Sequence, residues 1–147
     1  MKKVKKAYYL LFYKLYKSFE SIDNLTGMGY GLNDWKAGLV IQTLQICIIF
    51  FALNEINVFT YKNPFPETDP KLWIIPLCVI IAIINYFTFL HHDNWKKYVP
   101  EFSKYSRSFN LIINIIVVII CFGVFALLIF SYYQISKINW KEINHWK

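Results

Sequence analysis

Charge is missing from most of this chain. No Asp, Glu, Lys or Arg occurs from Ala37 to Asn54, from Leu72 to Leu90, or from Ser108 to Ser136. Cysteine is scarce too: Cys47, Cys78 and Cys121 are odd in number and all lie inside these runs, which excludes a disulfide framework and a CxxC metal pair. They read as small, polarizable packing residues. No GxSxG, no carboxylate pair within a run and no Ser/His/Asp set at matching depth is present, so the usual hydrolytic and acid–base machinery is excluded. No run contains a GxxxG pair, and Gly123 stands alone in the third. The apolar segment Ala7–Tyr13 is broken at Lys14 with no small-x-small site after it, so a cleaved signal is not expected. With 147 residues, the segments outside the runs are too short for an independent soluble core.

What remains is apolar and long. Helices of 18 to 29 residues would extend roughly 27–43 Å, against a hydrocarbon core of about 30 Å. Only helices and closed barrels satisfy their backbone in lipid, and the runs lack the two-residue alternation of barrel strands. The expected fold class is an all-α membrane protein: three transmembrane helices at about 37–57, 72–91 and 109–133, preceded by an N-terminal basic amphipathic surface helix. The expected units are that helix at 1–22, a Gly-rich hinge loop at 23–36, a three-helix transmembrane domain at 37–133, and a short C-terminal tail at 134–147.

The formal charge of +7 comes from lysines that flank apolar runs. Anionic headgroups explain this placement and nucleic acid does not. Seven Lys or Arg precede the first run, two follow it, four follow the second and three follow the third. Positive residues stay inside, so a cytoplasmic N-terminus and an external C-terminus are expected. Trp35, Trp73 and Trp95 stand at run edges, and Trp140 and Trp146 in the tail, as indole rings at headgroup level would. Fifteen lysines against the single Arg107 suggest an AT-rich bacterial source, hence an inner membrane.

Met1–Ile22 is amphipathic at helical spacing. Val4, Tyr8, Leu11, Phe12, Leu15, Phe19 and Ile22 share an apolar face, with Tyr9, Tyr13 and Tyr16 on its flank. Lys3, Lys6, Lys14 and Lys17 project opposite. This pattern predicts a helix flat on the membrane surface, with Phe12 and Phe19 dipping into it; the alternative is packing along the protein's own bundle or a partner. Asp23–Lys36 breaks the pattern, Gly27, Gly29 and Gly31 reading as a hinge, and Asn33 or Asp34 is an expected cap for the first span. Asn63-Pro64-Phe65-Pro66 and Asp69-Pro70 predict an extended loop between spans one and two.

Thr26–Gly31 (TGMGYG) has the look of a potassium filter but lacks the flanking pore helix and span, and no strand precedes it as in a nucleotide fingerprint. The intramembrane polar residues carry more. Gln42 and Gln45, Asn85 and Thr88, and Asn110 and Asn114 are pairs one turn apart. Alternating span direction puts all three pairs in the same third of the bilayer, so one shared hydrogen-bonded cluster is expected. It would set register more than it stabilises. Glu55 is expected to be a solvated interfacial carboxylate. His91 and His92, if helical, point about 100° apart and so miss the spacing of a metal pair.

A basic surface helix followed by three spans resembles the layout of the small bacterial diacylglycerol kinases. That family's acidic residues around its second span have no counterpart in Asn85–Leu90, so the resemblance does not extend to activity. The three-span half-transporters' Pro-Gln dipeptide is likewise absent. The expectation is a protein without catalysis, cofactor or metal. It would act by assembly, as a homo-oligomer or with a membrane-protein partner, the alternative being a self-assembling pore or membrane-perturbing effector. A small transporter or lipid-modifying enzyme is the remaining reading.

Overall fold

The computed structural model describes residues 2–27, 31–60, 69 and 71–138, and every regular element among them is helical. These elements are α1 (Lys2–Thr26), α2 (Asn33–Thr60), α3 (Lys71–Asn85), the short α4 (Val99–Phe102) and α5 (Arg107–Ser136). A π-turn, Tyr86–Leu90, and a tight turn, His91–Asp93, continue α3, and a second tight turn, Lys96–Tyr98, leads into α4. Three helices are long and apolar enough to cross a membrane: Asn33–Thr60, Lys71–Asp93 and Arg107–Ser136. The helices run past the charge-free stretches because their ends accept polar residues such as Asp34, Lys36 and Arg107. The proline-rich loop and the tail tryptophans Trp140 and Trp146 fall outside the described residues.

Helix α2 is the common partner, packing most extensively on α5 and then on α1 and α3. Helices α2 and α5 run in the same direction, and near their far ends Asn54 Nδ2 donates to Ser131 Oγ at 3.0 Å in a buried contact. No comparably extensive contact joins α3 to α5. The spans therefore form a row centred on α2 rather than a closed bundle.

Helix α1 packs along the protein's own bundle, the alternative that the amphipathic pattern left open. Phe12, Tyr13, Lys14 and Leu15, four consecutive residues and so a whole turn, are all buried. A helix lying on lipid hides one face only; a turn enclosed on every side passes through protein. The helix is wedged between the N-terminal ends of α2 and α5, the C-terminal end of α3 and the segment joining α3 to α5. It is also longer than 1–22, ending at Thr26, where Gly27 at φ +65° donates back to the Asp23 carbonyl at 3.0 Å. Glycine takes that left-handed backbone without the Cβ penalty, which is why the helix stops there. The 23–36 hinge thus shrinks to the residues between Thr26 and Asn33, of which 28–30 fall outside the described residues. Asn33 and Asp34 lie inside the first turn of α2, where Lys36 N–H already reaches the Leu32 carbonyl at 3.0 Å, so neither precedes the helix as its cap.

Candidate functional site

The site is the hub that α1 makes with the ends of the three spans. Between α3 and α5 the sequence places Trp95, Tyr98, Phe102, Tyr105 and Phe109 at alternating steps of three and four. That spacing carries aromatic rings toward one side of a turn-rich segment. Facing it, α1 offers Tyr8, Tyr9, Phe12, Tyr13 and Tyr16. Phe12 stacks on Phe89 with ring centroids 4.4 Å apart, Tyr9 stacks on Tyr98 at 5.1 Å, and Tyr16 tilts against Trp95 at 4.8 Å. Phe12, Phe89, Trp95 and Phe102 are all but inaccessible. Trp95 is therefore a core residue and not a headgroup anchor, whereas Trp35 is exposed as an interfacial indole would be.

Two local distortions aim these rings inward. The π-turn at Tyr86–Leu90 rotates α3's last residues so that Phe89 faces Phe12. It leaves the Thr88 carbonyl near a helix end, where Tyr9 OH donates to it at 3.1 Å. His92 and Asp93 then take φ values of 55° and 50°, consecutive left-handed residues that reverse the chain and deliver Trp95 to the core. His and Asp tolerate this region better than most side chains, at a cost of about 1–2 kcal/mol each. The turn also brings the His91 and His92 rings together, centroids 3.9 Å apart, correcting the divergent helical geometry expected of them. No group of three metal-ligating side chains occurs among the described residues.

The six polar residues do not form one cluster. Gln45 and Asn85 close a ring with Tyr8: Gln45 Nε2 donates to Tyr8 OH at 2.7 Å, Tyr8 OH to Asn85 Oδ1 at 3.2 Å, and Asn85 Nδ2 to Gln45 Oε1 at 2.7 Å. Each partner gives and receives one bond, so three helices are locked by three mutually polarising contacts. Burial holds the Tyr8 phenol protonated, its pKa pushed up to about 12. Gln42 sits apart, donating to the Cys78 carbonyl at 3.2 Å. Thr88 turns its hydroxyl back to Ile84 of its own helix at 2.7 Å. Asn110 belongs to the other flank of α1, where its Oδ1 accepts from Lys14 Nζ at 2.6 Å and its Nδ2 donates to the Tyr105 carbonyl at 2.8 Å. Asn114, one turn further along α5, is exposed. The division follows from α1, which lies between the two groups.

The lysines expected on a lipid-facing surface have separate fates. Lys6 pairs with Glu101, and Lys17 with Glu20 at 2.5 Å; both are solvated pairs of small energetic value. Lys36 on α2 holds Asp23 of α1 at 2.7 Å, tying the two helices across the glycine turn. The side chain of Lys3 lies outside the described residues. Phe19 is partly buried against the aromatic core. Lys14 is the exception: its side chain is buried, its one side-chain hydrogen-bond partner among the described residues is the neutral Asn110, and burial lowers its pKa from the ordinary 10.5. Glu55, expected in solvent, is half-buried, with one carboxylate oxygen enclosed and without a hydrogen-bond partner among the described residues. Tyr8 was the residue least visible to motif reasoning, since nothing in a lone tyrosine on an apolar face marks it as closing an amide pair. No protein-family model matches the chain, and no curated protein or solved structure matches it either.

Proposed function

We propose that this chain is a non-enzymatic assembly protein of a bacterial inner membrane, acting as a homo-oligomer or as a subunit of a larger membrane complex. Eleven basic residues on one side of the three spans and five on the other, counted from the sequence, favour a cytoplasmic N-terminus and an external C-terminus. The observation that carries the assembly reading is the open row. Over their most apolar stretches the span Arg107–Ser136 buries 11% of its residues and the span Lys71–Asp93 17%, against 28% for the central span Asn33–Thr60. In lipid, association is driven by packing rather than by water, so two long, sparsely covered helices flanking one centre leave most packing surface for neighbours. Among the polar residues that would line a pore, Gln42, Gln45 and Asn85 already bond within the protomer. This favours assembly over the self-assembling pore, the second reading, which predicts dye leakage from liposomes holding pure protein.

The test is native mass spectrometry of the full chain released from lipid nanodiscs, together with blue-native electrophoresis of the source membranes. A defined multiple of 17.6 kDa, or a single larger complex, supports the reading. A monomer in both overturns it. A reporter fused after Lys147 that proves cytoplasmic would overturn the orientation.

A further inference from the structure

Between α1 and α5 lies a cleft of about 380 Å³ lined by Lys14, Lys17, Ser18, Ser21, Ile22 and Asn114. We propose that it binds the phosphate headgroup of an anionic diacyl phospholipid, with an acyl chain lying along α5. The proposal rests on the membrane placement above but not on assembly. Two cations line the cleft, and the carboxylate that answers Lys17, Glu20, is already engaged. Lys14 is 8% exposed and among the described residues has no counter-charge, its amine reaching only the Asn110 oxygen. An ammonium carries three donors, so two remain for a ligand. A buried charge with only a neutral partner is costly. Ser21 and Asn114 are exposed at the rim and add uncharged polar groups.

The apolar half of the ligand follows from α5. Leu111, Ile115, Val118, Phe122 and Phe125 recur at steps of three and four beside Asn114, and all are exposed. From Asn114 to Phe125 this stripe extends about 16 Å, roughly one leaflet of a 30 Å core. A free phosphate would use the polar end alone; a lipid uses both.

Native mass spectrometry of the full chain in non-ionic detergent, titrated with phosphatidylglycerol or phosphatidylcholine, tests this in the spectrum that also reports oligomer mass. Wild-type protein should retain phosphatidylglycerol about tenfold more tightly than Lys14→Met, the loss of one well-placed cation. Lys97→Met, at an exposed lysine outside the cleft, should match wild type, and phosphatidylcholine should bind weakly throughout. Asn114→Leu, at an exposed residue, should also weaken retention and keeps the test open if Lys14→Met fails to fold. Equal retention by wild type and both cleft variants, or no preference for phosphatidylglycerol, would overturn the site. Displacement by millimolar inorganic phosphate would overturn the lipid as its occupant. A monomer that still discriminates between the lipids leaves the site standing and counts against the homo-oligomer alone.

Discussion

Replacing Tyr8 with Phe removes one oxygen from the Tyr8–Asn85–Gln45 ring and strands two groups at once. Gln45 Nε2 loses its 2.7 Å acceptor and Asn85 Oδ1 its 3.2 Å donor. A single interhelical bond in lipid is worth well under 2 kcal/mol, but an orphaned polar group costs about 1–3 kcal/mol. The ring is part-buried, so the lower half of that range applies, and Tyr8→Phe should destabilise by about 1–2 kcal/mol. Gln45→Leu and Asn85→Leu alone should each do the same, since either leaves the other two members half-satisfied. The triple variant strands nothing. It should lose about 1–2 kcal/mol in total, far less than the roughly 3–6 kcal/mol sum of the singles. Unfolding in bicelles by steric trapping, with Trp95 fluorescence reporting the adjoining core, measures all four. Additivity to within about 0.5 kcal/mol would mean three independent contacts and no cooperative ring.

Other outcomes follow from the same hub. Phe12→Ala removes a ring that is 0% exposed and stacked on Phe89, so it should cost about 3–5 kcal/mol and expose Lys14 and Lys17 to trypsin; unchanged cleavage would show that α1 is held elsewhere. Lys14→Met should change stability by no more than about 1 kcal/mol at neutral pH, because deleting a buried charge offsets leaving Asn110 Oδ1 without its donor. With its pKa depressed in the folded state, Lys14 binds protons better when unfolded. Wild-type stability should therefore rise as pH climbs toward 10.5, and Lys14→Met should lack that gain. Tyr8 has the opposite sign: raised from 10.0 to about 12, its contribution is complete below pH 10 and lost as pH passes through about 12. Tyr8→Phe should lose less stability than wild type over that range in a pH titration of unfolding.

The spans were legible because absence of charge is a whole-segment signal that no local detail can reverse. The pairing of Gln45 with Asn85 could also be anticipated, since alternating span direction fixes depth from residue counts. The route of α1 could not. Its periodicity describes an apolar face, and lipid and protein cores accept that face equally. Two clues pointed to protein. Tyr9 and Tyr13 widen the aromatic face beyond what shallow insertion would use, and Trp95 to Phe109 offers rings at matching spacing. The decisive features were invisible: the π-turn that presents Phe89 and the left-handed His92–Asp93 reversal that delivers Trp95. Both depend on tertiary packing to hold strained backbone, and neither residue pair carries a composition that announces it.

Chain order turns the hub into a statement about folding. Helix α1 is made first, yet its partners come from α2 (Gln45), the end of α3 (Asn85, Phe89), the connecting segment (Trp95, Phe102) and α5 (Asn110). Its full set of contacts exists only once α5 is in place. On the proposed membrane placement, its aromatic face would until then have lipid as its available partner. Surface residence, the arrangement that periodicity alone suggested, is thus the physical expectation for the intermediate, and the wedge for the finished fold. On that placement, docking would exchange lipid contact for the Phe12–Phe89 stack and bring the Lys14 amine to Asn110.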